Sequence, residues 1–175
     1  MIGFLLVTTK ESNGYVSGKP IALGLAVVLV GAALFKWWPS DVRDVRRQLD
    51  ALADAITVPS TDNDAARVAR LIELRGYFAP DAHIRLGAEE LPSRDALMAL
   101  VQEWAPPPGG VYVEFADEKI AVPGDGSAHV TLTARVTSRA TVTSEPTTDE
   151  SDTTVDLAKR DGDWLITSVV AQPPQ

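Results

Sequence analysis

The sequence predicts an α+β domain, three helices packed on a curved antiparallel sheet, preceded by a single transmembrane helix. Three observations predict it. Apolar residues recur at three- and four-residue steps from Val42 to Trp104, β-branched residues alternate from Val111 to Ala171, and an uncharged apolar run, Ile21 to Phe35, precedes both. The chain therefore divides into an N-terminal tail (1–19), a transmembrane helix (20–38), a folded domain (40–171) and a C-terminal tail (172–175).

The apolar run comes first in the chain. As a helix, Ile21 to Phe35 spans about 22 Å against a hydrocarbon core of about 30 Å. Lys36, Trp37 and Trp38 lengthen it to about 27 Å, because a lysine can snorkel and indoles favour the headgroup layer. Pro39 then closes the helix. The competing reading is a cleaved signal peptide, with Lys19 as its basic end and Val30-Gly31-Ala32 as its cleavage site. Lys36, Arg43, Arg46 and Arg47 after the run outnumber Lys10 and Lys19 before it, which favours a cytoplasmic domain. A signal anchor behind a short tail favours export, and we expect a single-pass protein of the bacterial inner membrane with its domain on the periplasmic side.

The domain opens with an amphipathic helix. Ser40 is suited to cap it, and Val42, Val45, Leu49, Leu52 and Ile56 form one apolar stripe. The segment Val58 to Asp64 interrupts the pattern, and Ala65, Val68, Leu71 and Ile72 mark a second helix running into Arg75-Gly76-Tyr77-Phe78-Ala79-Pro80-Asp81-Ala82. A short strand follows. The third helix starts at Ser93, carries Leu97, Leu100, Val101 and Trp104 on one face, and stops at Pro106-Pro107-Pro108-Gly109-Gly110. Two hairpins complete the domain: Val111–Val122 with His129–Thr143, then Thr153–Arg160 with Trp164–Ala171 across Asp161-Gly162-Asp163. The stretch Ser144 to Asp152 is acidic and lacks large apolar residues, so it reads as a mobile loop.

Charge and composition exclude several functions. Residues 40–175 carry 13 Lys+Arg against 23 Asp+Glu, a balance opposed to binding nucleic acid or anionic lipid. With no cysteine, the chain has no disulfide and no thiolate chemistry. The two histidines, His83 and His129, stand far apart and match no metal-ligand spacing, and nothing calls for a cofactor.

The order of elements, together with Tyr77-Phe78-Ala79-Pro80-Asp81-Ala82, Ser93-Arg94-Asp95-Ala96-Leu97 and Asp161-Gly162-Asp163-Trp164-Leu165-Ile166, resembles the nuclear transport factor 2-like superfamily. That superfamily includes SnoaL-like polyketide cyclases and ketosteroid isomerases. The resemblance covers about residues 41 to 171 and implies a cone in which helices and sheet enclose a pocket. The isomerases' catalytic base falls on Leu86 and their oxyanion-binding tyrosine near Gln48, so neither group is present. Asp156 loosely matches an acid position. His83, close to Asp81 in sequence, stands where pocket residues of the cyclases lie, and is a candidate acid or base with Asp81 or Asp156. Tyr77, Phe78, Trp104 and Trp164 read as core or cavity wall.

Three functions compete. The leading expectation is a non-catalytic accessory or scaffold subunit that docks other membrane-protein subunits, or a second copy of itself as a homodimer. The alternatives are a domain that binds a small apolar ligand, and a SnoaL-like cyclase or isomerase.

Overall fold

Three helices pack against a single six-stranded sheet in the computed structural model, which describes residues 41–172. The expected anchor, Ile21 to Phe35 with Lys36, Trp37 and Trp38, lies outside the described residues, as do Ser40 and the last three residues. Among the described residues no helix is long and apolar enough to cross a membrane.

Helix α1 covers residues 41–56, and its stripe does what the spacing demands: Val45, Leu49 and Leu52 are buried. Helix α2, Asp64–Tyr77, is capped by the Asn63 side chain, which accepts from the Ala66 amide at 3.0 Å. Only part of its apolar pattern faces inward. Leu74 is buried, whereas Val68 and Ile72 are exposed, because the inward face is built from Arg67, Arg70, Leu71 and Leu74. Helix α3, Arg94–Glu103, is capped by Ser93 as expected.

The strands are β1 (Phe78–Leu86), β2 (Glu89–Leu91), β3 (Val111–Ala121), β4 (Ser127–Ser138), β5 (Thr147–Arg160) and β6 (Asp163–Ala171), ordered β2-β1-β6-β5-β4-β3. Three expectations need correction. The sheet is mixed, since β1 and β6 run parallel; the connection between them contains α3, which supplies the crossover a parallel pair requires. The Phe78–Ala82 stretch is extended and opens β1. The expected loop at Ser144 to Asp152 becomes strand from Thr147, paired residue by residue with β4 from Thr147↔Ser138 to Asp152↔Thr133. Its threonines suit a strand, and the Arg135–Glu150 ion pair at 2.7 Å absorbs one of its acids across the ladder.

Two irregularities shape the sheet. In β3 the register slips between Ala116 and Lys119, with Asp117 at φ 53°, so Val111, Val113 and Phe115 face inward before the slip and Ile120 and Val122 after it. In β6 one extra residue, Thr167, separates inward Trp164 and Ile166 from inward Val169 and Ala171. The core joins Val45, Leu49 and Leu52 of α1 to Val130, Leu157 and Ile166 of the sheet.

Replacing Leu49 by alanine should cost about 2–5 kcal/mol in urea unfolding, whereas Ile72→Ser, on the outer face of α2, should change stability by less than about 0.5 kcal/mol.

Candidate functional site

Beyond the packed core, the same inward faces continue around a cavity of about 430 Å³. Val113 and Phe115 of β3, Ala134 and Val136 of β4, Val155 of β5 and Val169 of β6 form its sheet wall. Helices contribute Leu52 and Ile56, Leu71 and Leu74, and Leu97 and Val101, with Phe78 and Trp104 beside them. Trp104 and Leu86 are exposed as well as lining it, so the cavity opens to solvent. A volume of this size lies in the range of about 300–1,000 Å³ usual for small-molecule sites.

Against this apolar lining stand a few polar groups, Asp62, Arg67, Arg70, Ser151 and Thr153. Asp62 sits in the turn between α1 and α2. Its amide donates to Pro59 O at 3.0 Å, and the turn is moored to β3 by reciprocal bonds between Val58 and Val111 at 2.7 and 2.8 Å. Gly110, beside that bridge, has φ +88°, and a Cβ there would meet Val58 O at 2.8 Å, so glycine is required. Arg70 donates from Nη1 and Nη2 to the two Asp62 oxygens at 2.6 and 3.0 Å, a bidentate pair whose side chains are 19% and 12% exposed. Those hydrogen bonds hold the Asp62 carboxyl below its ordinary range against the opposing effect of burial, with charge attraction from Arg70 and Arg67 adding to them. Arg70 is correspondingly raised by its bonds to Asp62. Arg67 Nη2 donates to Gln102 O at 2.9 Å and to Trp104 O, which ties α2 to the end of α3.

The candidates named from the sequence lie elsewhere. His83, Asp81 and Asp156 do not line the cavity. His83 pairs with Glu90 (2.5 Å), Asp81 with Arg160 (2.7 Å) and Asp156 with His129 (2.6 Å), all at exposed or half-exposed positions. Strand register aligns His83, Ser168, Asp156 and His129 in one row across β1, β6, β5 and β4. His83 and Asp156 are two strands apart in that row, about 10 Å, which is beyond hydrogen-bonding reach. Among the expected aromatic wall residues, Phe78 and Trp104 do line the cavity, Trp164 is core, and Tyr77 lies on a separate groove. Leu86 and Gln48 are as the sequence reads: Leu86 lines the cavity as an apolar residue, and Gln48 donates to Trp164 O at 2.9 Å. Among the described residues no cluster of three potential metal ligands occurs.

Residues 64–170 match the model of the SnoaL-like domain. The chain belongs to the SnoaL-like domain family. This SnoaL-like domain has the fold of a candidate scytalone dehydratase from Novosphingobium aromaticivorans, with TM-score 0.62, 14% identity, 77% of this chain and 85% of that one covered. It is equally similar to Aln2 from a Streptomyces species (TM-score 0.62, 14% identity, 77% and 91% covered). The CamKII hub homology domain of Chlamydomonas reinhardtii has TM-score 0.61 at 16% identity, with 78% and 100% covered. At such identities the likeness is one of fold, which bears out the expected α+β arrangement of three helices on a curved sheet. No curated protein sequence matches the chain.

Sequence reasoning followed Val68 and Ile72 on α2 and passed over Arg67 and Arg70. The signal was present, since Arg67, Arg70, Leu71 and Leu74 are spaced i, i+3, i+4, i+7 and so share one helix face.

Asp62→Asn should lower stability by about 1–3 kcal/mol at pH 7, because Arg70 loses its charged partner. The folded-state pKa of Asp62 is depressed, so this contribution is complete above the unfolded value of about 3.9 and fades as pH falls through the folded value. Urea unfolding of both proteins from pH 7 to pH 2 should show their midpoints converging at the acid end.

Proposed function

We propose that this SnoaL-like domain binds a small, largely apolar ligand in the cavity, in preference to serving only as a scaffold. The observation that carries the reading is the cavity itself, whose walls come from inward faces of five strands and three helices and bear few polar groups. A scaffold role draws on no comparable feature among the described residues. Catalysis as a cyclase or isomerase needs a group able to take a proton near neutral pH. Among the described residues Asp62 is the one carboxylate on the cavity wall, and the bidentate bonds from Arg70 make it a weak base. The geometry therefore supports capture of a ligand better than its conversion.

The apolar run Ile21 to Phe35, flanked by Lys36, Trp37 and Trp38, supports a membrane tether for this binding domain on composition alone. Alkaline carbonate extraction of native membranes should leave the full chain in the pellet; release into the supernatant would remove the tether from the proposal.

Ligand capture is checked with the neutral fluorophore N-phenyl-1-naphthylamine. Its emission should rise on titration with the full chain, and Ala134→Phe, which places a ring in the cavity, should weaken binding by at least about tenfold while leaving the urea midpoint in place. Equal affinity of both proteins, or no emission change with either, would refute the reading.

A further inference from the structure

The polar groups of the cavity do not balance in charge. Among the described residues, two arginines, Arg67 and Arg70, and one carboxylate-bearing residue, Asp62, line it. Asp62 is consumed by Arg70, which engages both its oxygens. Arg67 is left with neutral partners, the carbonyls of Gln102 and Trp104 at the end of α3, and both bonds use Nη2. Of these, the Gln102 carbonyl carries part of the partial negative charge of the α3 C-terminus, about half a unit at most in all. The Trp104 carbonyl is that of the extended residue just past the helix, so together they offset the Arg67 charge incompletely. A guanidinium has five N–H donors in a planar fork. The Nε and Nη1 donors of Arg67 have no partner among the described residues, and neither atom is sealed from the cavity or solvent.

Tying α3 to α2 requires only Nη2, and at this exposed rim the Nε and Nη1 donors stay open to solvent or to a ligand. An apolar wall with one incompletely neutralised guanidinium at its rim fits a ligand that has an apolar body and a single anionic oxygen head. We infer that the cavity takes amphipathic monoanions of the fatty-acid kind, with the carboxylate, or an equivalent oxyanion head, accepting from Nη1 of Arg67 and the hydrocarbon against Leu97, Val101, Phe115 and Val136. The inference rests on the ligand-binding reading above and deepens it. Net charge does not oppose it: the domain is acidic overall, but screening confines surface charges to about 8 Å at physiological ionic strength, so the local excess at Arg67 governs a head group bound there.

Isothermal titration calorimetry of the full chain with octanoate and with 1-octanol separates head from body. Octanoate should bind at least about tenfold more tightly at pH 7, as expected for a charge-assisted hydrogen bond. Arg67→Gln should bring octanoate down to the level of octanol and leave octanol unchanged, so octanol binding also reports that the variant is folded. Equal binding of acid and alcohol by the natural protein would overturn the head-group inference while sustaining the apolar site. Loss of acid preference in Arg70→Gln but not in Arg67→Gln would overturn the assignment to Arg67. Absence of binding by both compounds would overturn this inference and the ligand-binding reading together.

Discussion

The sheet has more inward apolar face than three helices can cover, and much of the architecture follows from that mismatch. Strand β4 has 12 residues and runs about 40 Å, whereas α1, residues 41–56, runs about 24 Å. Where α1 lies against it, the inward face of β4 is core: Ala128, Val130 and Leu132 are buried. Two and four residues further on, the same face presents Ala134 and Val136 to the cavity. Strand β5 repeats the division, with Leu157 in the core, Val155 at the boundary, and Thr153 and Ser151 on the cavity. Helices α2 and α3 bridge the uncovered part without filling it.

Alternation alone would not keep both halves apolar. In β3 and β6 a single extra residue shifts the inward set from odd to even positions or back, so that one strand serves core and cavity with the correct parity in each. The pattern is visible in the chain: Val111, Val113 and Phe115 give way to Ile120 and Val122, and Trp164 and Ile166 to Val169 and Ala171. Sequence periodicity located these strands and α1 because each buries a long regular stripe. It failed at Thr147 to Asp152, where pairing with β4 holds a strand that no apolar residue announces. It also failed on the parallel β1–β6 pair, since strand direction depends on where the chain returns after α3 and not on local composition.

Site residues were less legible, for a different reason. Composition draws attention to histidines and acids, yet His83 alternates with buried Ala82 and Ile84, and Asp156 with buried Val155 and Leu157, which places both on the outer face of the sheet. The alternation that puts His129 outside applies to them equally. Arg67 and Arg70 carry long apolar stems that allow them to share an inward helix face with Leu71 and Leu74. A hydropathy reading counts them as solvent-facing, and only the turn that brings Asp62 beside Arg70 turns that face into a polar corner.

A cavity of this kind must also be reconciled with a stable fold. Sealed and dry, a void of about 430 Å³ would cost on the order of 10 kcal/mol at about 24 cal/mol per Å³, as much as the whole stability of an ordinary domain. The exposure of Trp104 and Leu86 shows that it is not sealed, so water reaches the walls and the cost is that of wetting apolar surface rather than of holding a vacuum. Wetted apolar walls are the condition under which an apolar body gains most by displacing solvent. The ion pair of Asp62 and Arg70 then has a second consequence: it fixes the turn after α1 against α2, so the corner carrying Arg67 is already formed before a ligand arrives. Affinity would thus come from the walls, and orientation from a corner whose ordering cost is met during folding.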